Sequence, residues 1–189
     1  MRPLVPAVVA AGAGLGYVLV VSGHLTLDLG VGRSVAPLGP MRVDIGARRE
    51  SVFELLAAPY AERRPRAMAE KVDVIERGSD TVIAAHRTAV GMGMVATTVE
   101  AVRFEFPDAI HFRLLRGPVP HVVERFTLHD HEGGTRLEYH GELGTDLWAA
   151  GRWWGRLVRR SWEATVRASI DGVRAEAERR ARSEMPSRG

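Results

Sequence analysis

The sequence predicts an α+β fold, a curved antiparallel sheet of about seven strands wrapped on one long C-terminal helix, preceded by a single N-terminal transmembrane helix. Three observations predict it. Residues 71–143 break into short runs rich in β-branched and aromatic side chains, separated by tight turn signals, as in a hairpin-connected meander. From Asp146 to about Glu184 apolar residues recur at spacings of three, four or seven, the period of a helix with one buried stripe. Residues 4–21 contain no charge, and as a helix they span about 27 Å, close to the thickness of a bilayer's hydrocarbon core.

Composition sets the outer bounds. The 189 residues are 46% hydrophobic and 26% charged, ordinary for a folded domain and too apolar for a disordered chain. The absence of cysteine excludes a disulfide scaffold, a thiolate metal site and a cysteine nucleophile. The net charge is only +3, and the arginines of residues 145–189 alternate with Glu163, Asp171, Glu176, Glu178 and Glu184 as on a solvated helix face. No nucleic-acid motif accompanies them, so no nucleic-acid partner is expected.

The uncharged run ends at Ser22-Gly23-His24. A cleaved signal peptide is the competing reading, but the apolar stretch is too long and Val21-Ser22-Gly23 is a poor cleavage site, so residues 1–23 read as a single-span membrane anchor. Gly12 and Gly16 have the spacing at which two membrane helices approach closely, a route to a homodimer. Tyr17 stands where a dinucleotide-binding loop needs its last glycine, which excludes that reading. The very short N-terminal side favours an extracytoplasmic domain, while the flanking Arg2, Arg33 and Arg42 do not decide.

Residues 24–40 read as a linker, with Leu25, Leu27 and Leu29 alternating with polar residues before a Gly- and Pro-rich stretch. A compact domain follows over 41–184, and 185–189 form a tail. Met41, Val43 and Ile45 predict a first strand, and Val52, Phe53, Leu55 and Leu56 the buried stripe of a helix over 48–58 that Pro59 ends. A second short helix is expected over 61–68, interrupted at Pro65. Strands follow near 71–76, 81–87, 95–106, 110–115, 121–129 and 135–143. In the last of these, Thr135, Leu137, Tyr139 and Leu143 share one face. The C-terminal helix buries Leu147, Trp154, Val158, Trp162, Val166, Ile170 and Val173. Beyond Val173 the stripe thins to alanines, so the last turns are expected to project into solvent.

This order of elements resembles the helix-grip superfamily of START-type lipid-transfer domains, polyketide cyclases/dehydrases and plant pathogenesis-related allergens (the SRPBCC or START-like proteins). The residues that carry the resemblance are Val43-Asp44-Ile45-Gly46-Ala47 leading into Glu50-Ser51-Val52-Phe53-Glu54-Leu55-Leu56, then Gly133-Gly134-Thr135-Arg136-Leu137-Glu138-Tyr139 before the last helix. It implies a cavity between sheet and helix and leaves the function open, because carriers, sensors and enzymes share the scaffold.

Polar residues on apolar strand faces are the candidates for such a cavity. Glu124 shares its face with Val122, Phe126 and Leu128; Glu100 with Thr98, Val102 and Phe104; His86 with Val82 and Ala84. Inside the sheet, a carboxylate without a partner has a raised pKa, suited to acid–base work or to hydrogen bonding a ligand. The alternative is that each Glu pairs with a neighbouring arginine, Arg103, Arg113 or Arg125. Phe126, Tyr139 and Trp154 complete the candidate lining. His129 and His131 flank a hairpin tip and read as exposed rather than as metal ligands, and no motif predicts a metal or cofactor. The leading expectation is a membrane-anchored module that binds a hydrophobic or amphipathic small molecule. The alternatives are a cyclase/dehydratase-type enzyme using these Glu and His residues, and a non-catalytic structural or interaction domain.

Overall fold

A computed structural model describes residues 15–16, 18–91 and 94–184. Seven strands form a single antiparallel sheet: β1 (Ser34–Ile45), β2 (Val72–Arg77), β3 (Thr81–Gly91), β4 (Met94–Glu105), β5 (Ala109–Arg116), β6 (His121–His131) and β7 (Gly134–Thr145). Their order is β1-β7-β6-β5-β4-β3-β2, a meander from β2 to β7 with β1 returned to the β7 edge. Between β1 and β2 lie α1 (Arg49–Ala57), a 3-10 turn (Ala58–Tyr60) and α2 (Arg66–Lys71), and α3 (Trp148–Glu184) ends the described chain. Alternation along each strand sorts the residues: Leu128, Leu137, Tyr139, Ile110 and Val102 are almost wholly buried in one core, which α1 and α3 close.

α3 packs on β1, β7 and α1. Its stripe does not end at Val173, as the thinning to alanine suggests, because Ala177 is buried and Ala181 packs against the core. Small residues there let the helix lie close to the chain at Gly46, beside Glu178. The second short helix begins after Pro65 rather than being broken by it, since proline's fixed φ suits a helix start.

The expected linker is a structured part of the domain. β1 starts at Ser34, seven residues before the predicted strand, and pairs with β7 from Ser34↔Thr145 to Ile45↔Thr135. Its prolines obscure it in the sequence. They are tolerated because β1 is an edge strand, and Pro40 falls in a bulge between Leu38 and Met41. Glu163 of α3 accepts a hydrogen bond from the Gly39 N–H at that bulge, 3.2 Å.

Residues 22–33 form a strap across the end of the sheet where β4 begins and β7 finishes. Gly23 lies against the Thr97 carbonyl. Thr26 Oγ1 donates to the Gly117 carbonyl at 2.8 Å and accepts from the Gly117 N–H at 3.0 Å. Asp146 clasps the far end: it accepts from the Leu29 and Gly30 N–H groups, both at 2.7 Å, and from Arg33 Nε at 2.7 Å. Leu147 and Trp148 then adopt left-handed φ values of 71° and 48°, a conformation that costs roughly 1–2 kcal/mol per residue. The strap holds them there, its Val31 and Gly32 carbonyls accepting their N–H groups. Gly151 is required beneath this knot, because a Cβ would sit 1.6 Å from the Asp146 carbonyl oxygen.

Most of the predicted membrane span, including Gly12 of the predicted dimer contact, lies outside the described residues, as does the tail 185–189. Among the described residues no helix is long and apolar enough to cross a membrane.

Hydrogen bonds from Arg33 and the strap amides pull the Asp146 carboxyl down to about 2. A lowered folded-state pKa stabilises above the unfolded value and is lost as pH falls through the folded one. The strap amides of Leu29 and Gly30 should therefore lose hydrogen-exchange protection between about pH 4 and pH 2. Asp146→Asn should expose them already at neutral pH.

Candidate functional site

The register of the strands assembles the polar residues of the concave face. Ala84 pairs with Glu100 and His86 with Thr98 across β3 and β4, while Phe126 pairs with Tyr139 across β6 and β7. Glu124 pairs with Gly141, where a Cβ would stand 3.1 Å from the glutamate Cγ, so the glycine leaves room for that side chain to turn inward. Both glutamates are 4% exposed. Arg103, Arg113 and Arg125 are exposed instead, and Arg103 pairs with Glu105, so the anticipated arginine partners do not reach the carboxylates.

Two polar groups result. In the first, Thr98 Oγ1 donates to Glu100 Oε1 at 2.6 Å, Glu100 Oε2 lies 3.1 Å from His86 Nδ1, and His86 Nε2 lies 3.1 Å from the Tyr60 hydroxyl. In the second, Glu124 Oε1 accepts from the Tyr139 hydroxyl and from Trp162 Nε1, the latter at 2.7 Å. Burial and then the nearby Glu100 charge push the Glu124 carboxyl up to about 7, against the opposing hydrogen bonds of Tyr139 and Trp162. Burial alone would lower His86, but the charge and hydrogen bond of Glu100 outweigh it and raise its pKa. Once doubly protonated, the imidazole donates from Nδ1 to Glu100 and from Nε2 to Tyr60. Burial holds the Tyr60 and Tyr139 hydroxyls well above the usual phenol range, so both stay protonated. The arrangement sets a buried acid, its carboxyl pushed up to about 7, near a hydrogen-bonded His86–Glu100 pair.

Apolar walls surround these groups. The Phe126 ring centroid lies 5.1 Å from the tilted Tyr139 ring and 5.6 Å from Phe112, which it meets edge to face. From α3, Trp154, Val158 and Trp162 face the core yet remain half-buried, as do Phe104 and Phe112 from the sheet. Trp154 Nε1 donates to the Pro118 carbonyl at 2.8 Å, placing the Gly117–Pro120 turn against α3. A pocket of about 320 Å³ opens between α1, the 3-10 turn and β4, lined by Phe53, Ala57, Tyr60, Arg77, Phe104 and Phe106. Tyr60 belongs both to this pocket and to the His86–Glu100 chain. A second pocket, of about 310 Å³ at Met41, Arg42, Glu138 and His140, touches none of these groups.

The predicted lining residues thus converge on one interior: His86, Glu100, Glu124, Phe126 and Tyr139 point inward, and Trp154 stands at the rim. Sequence reasoning missed Tyr60, whose position after Pro59 carries no periodic signal. It also read Trp162 only as part of the helix stripe, although a buried indole N–H needs an acceptor. Among the described residues no cluster could hold a metal ion, and His131 lies beside Asp44 and Arg136 on the exposed hairpin.

No family model and no curated protein matches the chain. Solved structures do match it. The ARO/CYC (aromatase/cyclase) StfQ of the steffimycin biosynthetic pathway aligns with a TM-score of 0.64 at 18% identity over 78% of this chain and 52% of its own. The Zhui aromatase/cyclase from Streptomyces sp. R1128 aligns at 0.61 and 19% over 83% of this chain and 99% of its own. The ARO/CYC BexL of the BE-7585A biosynthetic pathway aligns at 0.60 and 22% over 78% and 50%. The chain therefore spans about half the length of the two di-domain proteins and nearly all of Zhui. These likenesses show the fold: the helix-grip fold of the SRPBCC, or Bet v1-like, proteins.

The raised folded-state pKa values of Glu124 and His86 act in the same direction. Each group stabilises the fold fully below its unfolded pKa, and that contribution is lost as pH rises through the folded value. For Glu124 the window runs from 4.5 to about 7 and is worth on the order of 3 kcal/mol. Denaturant midpoints should therefore fall between pH 5 and pH 8, and Glu124→Gln should flatten that dependence.

Proposed function

We propose that the protein binds a hydrophobic or amphipathic small molecule, of lipid or isoprenoid type, between the sheet and α3. Glu124 and the Glu100–His86 pair serve as its polar contacts. The observation that carries this reading is the pair of carboxylates buried on an apolar concave face without a guanidinium partner. Burying such groups costs several kcal/mol, and an apolar core of the same volume would be at least as stable. A ligand with a polar group on a hydrophobic body gives them a use, and the half-buried aromatic side chains of both layers give that body a surface. The aromatase/cyclase neighbours agree with a bulky hydrophobic guest. In this reading the uncharged residues 4–21 tether the module to a membrane.

A second reading, a cyclase/dehydratase-type enzyme, is favoured by the placing of Glu124, buried on the concave face against Tyr139 and Trp162. Burial and the nearby Glu100 charge push its carboxyl up to about 7 there. Such an acid can both donate and accept a proton at neutral pH. In this role Glu124 exchanges the proton with the guest, while Tyr60, His86 and Glu100 orient it and hold charge.

The test is native mass spectrometry of the full chain released from mild detergent. A small-molecule mass that leaves on denaturation is expected, and Glu124→Ala should weaken its retention by roughly 5- to 150-fold, the worth of one buried polar contact. A clean apo mass that stays unchanged after incubation with membrane lipid extract would sink the binding reading. Retention that persists in Glu124→Gln while the bound molecule is no longer converted would favour the enzyme.

A further inference from the structure

The alternation of Leu25, Leu27 and Leu29 is inverted with respect to the domain. A strand or strap laid on a protein ordinarily turns its apolar side chains inward. Here Thr26 makes the inward contact, to Gly117, while Leu25, Leu27, Leu29 and Val31 are all exposed. The strap's hydrogen bonds to Leu147 and Trp148 bring this apolar edge to the start of α3, where Trp148 is 62% exposed. One to three turns further along, Trp153 (58% exposed) and Leu157 occupy the outward side of the helix with Ala150 and Ala164.

Charge is also segregated there. Residues 147–162 contain four arginines, Arg152, Arg156, Arg159 and Arg160, and no carboxylate. Among the described residues none of the four forms an ion pair, whereas Arg174, Arg179 and Arg180 nearer the C-terminus all pair with Glu176 or Glu178. Arg156 and Arg160 flank Trp153 and Leu157 on the same exposed face. Exposed tryptophan and leucine bordered by unpaired arginine form the combination that settles at a lipid–water interface, with rings at headgroup level and guanidiniums on anionic headgroups.

We propose that this end of the domain, the strap together with the first turns of α3, is a docking surface for an anionic lipid bilayer. A second copy of the chain is a poor occupant, because a two-fold contact would set the unpaired arginines against each other. A nucleic acid would leave the strap leucines without apolar cover. The proposal concerns the folded domain and holds whether or not the interior takes a ligand.

All four tryptophans of the chain lie between residues 148 and 162, none in the uncharged run 4–21, and Trp148 and Trp153 are the two that stand on this face. The full chain is mixed with phosphatidylcholine vesicles carrying brominated acyl chains, with and without phosphatidylglycerol. Quenching is expected to be stronger, and half-maximal at lower lipid concentration, on the anionic vesicles than on the neutral ones, whether or not residues 4–21 also insert. Trp148→Phe with Trp153→Phe should remove most of the quenching, since Trp154 and Trp162 remain on the core side. Arg152→Gln with Arg156→Gln and Arg160→Gln should raise the lipid concentration for half-quenching at least tenfold. These side chains are exposed, so melting temperatures should stay at the wild-type value. Absent quenching, equal quenching on neutral vesicles, or quenching that survives the double Trp substitution would overturn the proposal. So would a concentration-dependent dimer in sedimentation velocity that the same substitutions dissociate.

Discussion

A seven-stranded sheet with one apolar face needs a cover, and α3 is the element long enough to provide it. The rest of the structure follows from where that helix can lie. It must come close to the end of β7 to follow it without a loop, which requires Gly151 against the Asp146 carbonyl and left-handed turns at Leu147 and Trp148. Those turns are strained, and the strap that supplies acceptors for their N–H groups is held in turn by the Asp146 carboxylate. One short segment between β7 and α3 thus joins helix placement, backbone strain and the fixing of an otherwise loose N-terminal stretch.

Because α3 packs on the β1–β7 side and on α1, it meets the middle of the sheet through large side chains. Trp162 reaches Glu124 and Trp154 reaches the Gly117–Pro120 turn. The concave face beneath carries two carboxylates, an imidazole and the Tyr139 phenol, which with Tyr60 of the 3-10 turn form two hydrogen-bonded groups. Mutual satisfaction makes them tolerable in an apolar interior, where burial and then the nearby Glu100 charge raise the proton affinity of Glu124. The raised proton affinities of Glu124 and His86 make the interior less stable as pH rises.

Much of the fold is legible in the sequence because it rests on local chemistry. The turns at Gly78-Ser79-Asp80, Pro107-Asp108 and Glu132-Gly133 set the hairpins, and period-two alternation assigns Glu100, Glu124 and His86 to the inner face. β1 is the instructive failure. Its prolines and glycine read as a linker because the sequence does not reveal that the strand lies at an edge, where a missing donor matters little. Tyr60 escaped for a related reason: a single residue in a 3-10 turn has no periodicity to expose it.

The sequence by itself determined the element types, their order and which side of each strand is apolar, since these depend on neighbours within a few residues. Only the tertiary structure decided which polar residues meet, because contacts such as Tyr60–His86, Trp162–Glu124 and Asp146 with Leu29 and Gly30 join segments 26 to 117 residues apart. It likewise decided that the strap's leucines face outward. Alternation fixes that two faces differ, but which face meets the protein depends on where a single hydroxyl, that of Thr26, finds its partner.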